Sequence, residues 1–296
     1  MTPSPPRIGV IGVGNMGLGI ALRLRDQGLD VAARDIDPAR EALARDGGCS
    51  VVDSPAAAAT GRDLLIVVVI DAVQTRDVLF GAQGAAAALR AGASVMLCPT
   101  IAPGDVEDLA RDLAAQGLHT IDAPMSGGPV RAREGRMSLM VATPDPVFDR
   151  WQGLLQRLAD PVFRVGTRPG DGARTKLVNN LLAAINLAGA AEVLAVATRL
   201  GLDPATTMDV MEKSSGQSWI ATDRLRRALA DRHEPLAHMT LLAKDSSLAM
   251  AEVRRTGIAA PVGGAATDTF ARALAAGLSR QDDSALYRWL LQQPPA

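Results

Sequence analysis

Short aliphatic runs alternate with Ala-rich amphipathic stretches over residues 7 to about 165. Runs bounded by Gly, Pro or Asp predict strands at 8–11, 31–33, 64–70, 94–97 and 119–123. Between them, the stretches 16–27, 38–46, 73–79 and 103–116 predict helices. Strands that alternate with helices indicate parallel βαβ units, and the run at 64–70 is apolar at every position, as in a strand covered on both faces. This part is therefore predicted to be an α/β domain with a doubly wound parallel sheet.

The pattern changes at Thr167, where strand-like runs stop. After a break at 168–172, a helical pattern runs from Ala173 to Leu200 and closes at Gly201, and further helices are predicted at 204–213, 221–231, 236–256 and 264–276. The stretch 181–196 is apolar nearly all round, yet it carries Asn186 and Glu192, which favours a helix buried between domains or subunits over a membrane span. We predict an α/β domain at 1–166, an all-helical domain at 167–296, and a homo-dimer or homo-tetramer.

Composition narrows the class of protein. The chain has 296 residues, 48% of them hydrophobic, so it can bury a sizeable core. A net charge of −1 and 3% aromatic residues favour neither nucleic acid nor a membrane surface as a partner. Two cysteines and three scattered histidines have no metal-ligand spacing, so no metal site is expected. The Pro-rich start at 1–6 is unlike a signal peptide, and we expect a reduced, cytoplasmic protein.

A G-x-G-x-x-G motif lies between the first predicted strand and helix. Its turn requires Gly12, a pyrophosphate must approach the backbone at Gly14, and Gly17 lets the helix pack on the strand. Asp35 follows 18 residues after Gly17 and can accept both ribose hydroxyls, which favours NAD over NADP. Arg34 could instead pair with a 2′-phosphate, so NADP stays open. The expected cofactor contacts in the loop also include Asn15 and Met16.

A glycine turn follows the predicted strand at 119–123. In Asp122-Ala-Pro-Met-Ser126-Gly127-Gly128-Pro129, backbone N–H groups and the Ser126 hydroxyl are exposed, and such a nest suits a substrate carboxylate. The turn is therefore a candidate substrate site.

Polar residues interrupt the start of the long apolar helix. Lys176 and Asn180 are four residues apart and share a face, with Asn179 at its flank. A lysine and two amides there are costly unless they line a wet cleft or find partners. Taken singly, a lysine in such a position is more often a solvated surface residue. Lys176 becomes a catalytic candidate only because it occurs together with the other motifs.

Four segments, in matching order and spacing, resemble the β-hydroxyacid dehydrogenase family, which includes 3-hydroxyisobutyrate and L-threonate dehydrogenases. They are Gly9–Gly19, Asp122–Pro129, Gly172–Asn180 and the pair Lys244-Asp245. The resemblance covers essentially the whole chain. It implies a Rossmann-type domain followed by an all-α domain, with the active site in the cleft between them.

The resemblance also implies residue roles. Lys176 is the expected catalytic lysine. The expected substrate contacts are Ser126, Gly127, Gly128, Asn179 and Asn180. Outside the glycine loop, the expected cofactor contacts are Val69, Ile70 and Gln74 on the adenosine side, Thr100 beside the nicotinamide, and Lys244 from the helical domain. Ile70 departs from the proline common in the family at that place.

The implied reaction is hydride transfer between a small 3-hydroxy carboxylic acid and NAD(P). The substrate is expected to be of the 3-hydroxyisobutyrate, L-threonate or L-serine type. Lys176 accepts the hydroxyl proton, and desolvation is expected to lower its pKa from about 10.4. One alternative is an NADPH-dependent glyoxylate or succinic semialdehyde reductase. An alternative from another class is a non-catalytic NAD-binding regulatory protein.

Overall fold

The computed structural model describes residues 5–232 and 234–294, and the chain divides into two compact units, residues 1–176 and 177–296. The first unit contains one nine-stranded sheet in the order β3-β2-β1-β4-β5-β6-β8-β7, with β9 paired to β8. The strands are β1 (Arg7–Ile11), β2 (Asp30–Arg34), β3 (Ser50–Val51), β4 (Leu64–Val67), β5 (Ser94–Leu97), β6 (His119–Asp122), β7 (Met125–Ser126), β8 (Met137–Ala142) and β9 (Ala159–Gly166). The predicted domain boundary at residue 166 stays a prediction.

Helices cover both faces of this sheet. They are α1 (Asn15–Asp26), α2 (Pro38–Asp46), α3 (Pro55–Ala59), α4 (Ala72–Phe80), α5 (Pro103–Ala114), α6 (Gly128–Glu134) and α7 (Asp145–Leu158), with a 3₁₀ turn at Ala86–Ala88. Alternate residues of β4 enter two different cores. Leu64 and Ile66 pack with α1 and α7, and Leu65 and Val67 pack with α3, α4 and α5. The Rossmann-type doubly wound architecture is confirmed.

One sequence prediction about the sheet was wrong. The strand predicted over 64–70 ends at Val67, because its neighbour β1 ends at Ile11, the partner of Val67. The Asp71 carboxylate then accepts a hydrogen bond from Gln74 N at 2.8 Å, which starts α4. The strands predicted from the sequence run parallel as expected, but the sheet also contains strands that the sequence did not indicate. β3, β2, β1, β4, β5 and β6 run parallel, whereas β8 is antiparallel to both β6 and β7.

The second unit is helical throughout its described residues, apart from an isolated bridge between His238 and Asp282, as the sequence predicted. The helices are α8 (Asp171–Arg199), which begins in the first unit, α9 (Pro204–Glu212), α10 (Trp219–Leu229), α11 (Met239–Thr256), α12 (Pro261–Ala275) and α13 (Leu286–Leu291), with 3₁₀ turns at Leu278–Arg280 and Asp283–Ala285. Its core joins Ala184, Leu187 and Leu194 of α8 to Phe270 and Tyr287.

Helix α8 is long and apolar enough, by length and composition alone, to cross a membrane. That property is shared by core helices of soluble proteins, and 44% of its most apolar window is buried inside the structure. Its apolar side chains are divided between the core and an exposed face. Leu182, Val193 and Val196 lie on that face, each more than half exposed.

Candidate active site

Each glycine of the amino-terminal loop has a different physical role. Gly12 has φ +86°, and a Cβ there would lie 2.3 Å from the carbonyl oxygen of Val68. A Cβ on Gly17 would lie 1.8 Å from the carbonyl oxygen of Gly12, so only glycine lets α1 begin so close to the loop. A Cβ on Gly14 would meet nothing within 4 Å. Gly14 is also the N-cap of α1, without a side-chain cap, and the described first turn carries no acidic residue. The loop is an open cradle for an anion and fits a dinucleotide pyrophosphate.

The Asp35 carboxylate is tied to this loop. Its Oδ2 accepts a hydrogen bond from Val13 N at 2.7 Å, and its Oδ1 accepts one from Asp37 N at 2.9 Å. The carboxylate is therefore held beside the glycine loop in one orientation, in which its oxygen atoms can accept hydrogen bonds from ribose hydroxyls. The neighbouring Arg34 pairs with Glu41, with Nη1 2.6 Å from Oε1.

Three apolar side chains are exposed at the edge of the sheet where the glycine loop and Asp35 lie. β1, β2 and β4 are adjacent and parallel, so their carboxyl ends meet there. After β4, Ile70 is 56% exposed and Val73 is 79% exposed, and Ile36 after β2 is 88% exposed. Gln74 is already engaged, because its Oε1 accepts a hydrogen bond from Ile70 N at 3.1 Å. Sequence reasoning missed Ile36, whose signal is apolar character just after a strand, and Val73, which lies in the first turn of α4.

The predicted carboxylate turn has the backbone that its glycines indicated. Gly127 has φ +126° and Gly128 has φ +78°, both in the region that favours glycine, and a Cβ on Gly128 would meet open space. Ser126 ends β7, and its carbonyl oxygen accepts a hydrogen bond from Ser138 Oγ at 3.4 Å. Thr100 is half-buried and follows β5 by three residues. Contacts of these residues with substrate or nicotinamide stay predictions.

The first turn of α8 is held by a buried carboxylate. Asp122 Oδ2 accepts hydrogen bonds from Gly170 N at 2.8 Å and from Ala173 N at 3.2 Å. Burial raises the pKa of Asp122 to about 6, although its hydrogen bonds from backbone N–H groups oppose the rise. A Cβ on Gly172 would lie 2.8 Å from Asp122 Oδ1, so glycine is required there. Sequence reasoning quoted Asp122 as part of the turn motif but missed this role.

Lys176 lies on the following turn of α8 and is only 6% exposed. The expectation that a lysine there, taken singly, is a solvated surface residue is wrong for this chain. Burying a long cationic side chain is costly, and proteins usually retain such a group where it has a partner or a function.

Asn180 is also buried, and it belongs to a polar network in the helical unit. Asn180 Nδ2 donates to Asp245 Oδ2 at 2.6 Å, and Lys244 Nζ lies 2.8 Å from Asp245 Oδ1. The Asn179 amide donates to Asn180 Oδ1 at 3.1 Å, but Asn179 itself is exposed. Asp245 thus links two predicted site residues. Sequence reasoning named it only beside Lys244, because the contact with Asn180 spans 65 residues.

Two other features bear on the site. Trp219 begins α10 and is 49% exposed, so it is not a core residue of the helical unit. Among residues 5–232 and 234–294, no group of three His, Cys, Asp or Glu side chains is arranged to hold a metal ion.

Comparison with known proteins gives matches over nearly the whole chain. A family model described as the NAD binding domain of 6-phosphogluconate dehydrogenase matches residues 7–166. A second, described as the NAD-binding of NADP-dependent 3-hydroxyisobutyrate dehydrogenase, matches residues 170–290. The chain is 38% identical to L-threonate dehydrogenase of Cupriavidus necator, over 95% of each protein.

Two further relatives carry a different name. Human mitochondrial 3-hydroxyisobutyrate dehydrogenase is 30% identical, over 97% of this chain and 87% of that protein. The crystal structure of 3-hydroxyisobutyrate dehydrogenase from Salmonella typhimurium superimposes with a TM-score of 0.90 at 31% identity, covering 96% of this chain and 99% of that one. With the open anion cradle and the matches over both units, the chain belongs to the β-hydroxyacid dehydrogenase family of NAD(P)-dependent oxidoreductases.

Proposed function

We propose that this enzyme transfers a hydride between a small 3-hydroxy carboxylic acid and NAD(P), with Lys176 as general acid and base. The observation that carries the proposal is the burial of Lys176, 6% exposed, one helical turn before Asn180, 8% exposed. A lysine that serves only to keep a surface solvated has no reason to leave water, whereas a buried lysine beside a buried amide is typical of a functional site, and a lysine amine can donate and accept a proton.

The proposed roles follow from what each group can donate or accept. Bound NAD⁺ supplies the hydride acceptor. Lys176 accepts the proton of the substrate hydroxyl during oxidation and returns it during reduction. The backbone N–H groups of Gly127 and Gly128, with the Ser126 hydroxyl, hold the substrate carboxylate. Asn180, oriented by Asp245, donates to substrate oxygen, and Asn179, which donates to Asn180 Oδ1, contributes at the edge of the same substrate site.

The cofactor contacts are proposed on the same basis. The pyrophosphate lies on the glycine loop at Gly12, Gly14 and Gly17, and Asp35 accepts from the ribose. The remaining contacts are Asn15 and Met16 in the loop, Val69, Ile70 and Gln74 after β4, Thr100 after β5, and Lys244. Because Gln74 Oε1 already accepts from Ile70 N, its amide nitrogen is the group left to meet the nucleotide. Ile36 and Val73 extend this set as apolar surface for the adenine.

We also propose that the protein is a homo-oligomer in the cytoplasm. The exposed apolar side chains Val178 and Leu182 are four residues apart on α8, and Val193 and Val196 are three residues apart further along it, with exposed Leu200 directly after the helix. Packing against a second copy of the chain, in a homo-dimer or a homo-tetramer, would bury this apolar face of α8. Light scattering on the purified protein distinguishes these states from a monomer.

Absorbance at 340 nm tests the substrate class. The protein is mixed with NAD⁺ or NADP⁺ and, in parallel, with L-threonate, L-serine, 3-hydroxyisobutyrate, glycerate or 3-hydroxypropionate. We expect turnover with at least one of them and faster turnover with NAD⁺. The name shared by the L-threonate relatives puts that acid first in the panel. Turnover of glyoxylate or succinic semialdehyde with NADPH, and of none of the hydroxy acids, would instead support the reductase alternative.

A further inference from the structure

Arg34 is the side chain that could open the site to a 2′-phosphate, and the structure shows it already engaged. Its Nη1 lies 2.6 Å from Glu41 Oε1 and also donates to the backbone carbonyl of Asp35. The same Glu41 oxygen accepts a hydrogen bond from Asp35 N at 3.2 Å. One carboxylate oxygen therefore holds both the guanidinium and the backbone of the residue that faces the ribose.

Glu41 is held in place independently of Arg34. It lies in the first turn of α2, whose N-cap Asp37 accepts a hydrogen bond from Ala39 N. A carboxylate is favoured near a helix N-terminus, so Glu41 does not need the arginine in order to stay there. The pair is also mostly sheltered from water, with side-chain exposures of 26% for Arg34 and 16% for Glu41. Sheltered pairs are screened less by salt than exposed ones.

We propose that Glu41 is a specificity-determining residue that makes the nucleotide site select a free 2′-hydroxyl. The inference rests on the proposed function, in which Asp35 accepts from the ribose. A 2′-phosphate brings nearly two negative charges towards Asp35 and Glu41, and Arg34, which precedes Asp35, is already neutralised by Glu41. An arginine in this sequence position therefore does not indicate NADP in this chain, because its charge is paired with Glu41 and its Nη1 group is already hydrogen-bonded.

The test removes the charge of Glu41 and keeps its shape. Glu41→Gln retains a carbonyl oxygen that can accept from Asp35 N, but it no longer neutralises Arg34. We expect the Kd for NADPH, measured by nicotinamide fluorescence, to fall about tenfold or more, which corresponds to about 1.4 kcal/mol. The Kd for NADH should change by less than about twofold. Glu41→Ala should also lower the Kd for NADPH. This second variant shows whether the effect comes from loss of the carboxylate or from the glutamine side chain that replaces it.

Two further variants make the assignment specific. In Glu41→Gln/Arg34→Ala the gain in NADPH binding should disappear, because the released guanidinium is gone. Glu134→Gln removes the carboxylate of an exposed pair with Arg136 in the same unit and should leave both constants unchanged.

Each other result has a distinct meaning. Unchanged NADPH affinity in Glu41→Gln and Glu41→Ala, with NADH still bound, would overturn the role of Glu41. A gain that persists in the double variant would assign the phosphate to another cation, with Arg40 on α2 the first to examine, and would overturn the role of Arg34. A wild-type protein that prefers NADPH would contradict the inference alone. Failure to bind either nucleotide would refute the proposed function as well.

Discussion

Asp122 controls how the helix that carries Lys176 begins, and its buried carboxyl makes that control dependent on pH. The perturbation is Asp122→Asn, which keeps one oxygen able to accept from Gly170 N and Ala173 N and removes the titrating group. The wild-type protein binds a proton here more readily when folded than when unfolded, because burial raises the pKa from 3.8 to about 6. The stability contributed by this group is therefore greatest below about pH 4 and is lost as pH rises through about 6.

The magnitude follows from that difference in pKa. At pH 7.5 the carboxyl is ionised in both states, and at pH 5.0 it is mostly protonated in the folded state only. With 1.36 kcal/mol for each pH unit below the folded-state pKa of about 6, wild type gains about 1.4 kcal/mol between pH 7.5 and pH 5.0. The asparagine variant lacks this gain. For a unit of this size the difference corresponds to about 3–5 °C in the melting temperature.

The assay is thermal unfolding of both proteins at the two pH values. The quantity of interest is the melting temperature of wild type minus that of Asp122→Asn, which should rise by about 3–5 °C on going from pH 7.5 to pH 5.0. Asp108→Asn changes an exposed carboxylate in the same unit and should give no such change. An equal pH dependence in wild type and Asp122→Asn would refute the claim that Asp122 titrates with a raised pKa.

Four other substitutions test separate parts of the structure. Gly14→Ala should fold normally, because its Cβ meets open space, but it should weaken NADH binding at least tenfold in a fluorescence titration. Gly17→Ala should weaken NADH binding and also lower the melting temperature, because its Cβ would lie 1.8 Å from the carbonyl oxygen of Gly12. Asp245→Ala removes the acceptor of the Asn180 amide, so the KM for the hydroxy acid should rise several-fold while the fold is kept, as circular dichroism would verify. Burial raises the pKa of Asp283 to about 7, so Asp283→Asn should remove a loss of stability that wild type shows between about pH 4 and pH 7 in thermal melts.

Local patterns predicted the first half of the sheet well. β1, the glycine loop and α1 agree with the structure within one residue at each end of α1, because a strand, a tight turn and a helix start all depend on neighbouring residues. The long helix was predicted from Ala173 and begins at Asp171. The strand predicted to reach Ile70 was too long, because a strand ends where its partner ends, and hydrophobicity does not record that.

The parts that sequence reasoning missed depend on distant residues. Nothing local in Met137–Ala142 shows that it pairs antiparallel with β6 and β7. The hydrogen bonds of Asp122 join residues that are 48 and 51 positions apart in the sequence. The turn motif around Asp122 therefore does not reveal that its carboxylate holds the start of α8. The pairing of Arg34 with Glu41 spans only seven residues, but it was also missed, because it depends on how the turn after β2 places the first turn of α2. The candidate residues were found by motif, and their partners only by structure.

The catalytic role of Lys176 is tested by comparing two lysines. Lys176→Met and Lys244→Met are each assayed for NADH affinity by fluorescence and for kcat at saturating substrate by absorbance at 340 nm. We expect Lys176→Met to bind NADH within about twofold of wild type while kcat falls by at least about a hundredfold, the scale of a lost general base. Lys244→Met should instead show its main loss in NADH affinity. A Lys176→Met enzyme that keeps its kcat, or that loses NADH affinity and rate in equal measure, would contradict the central claim.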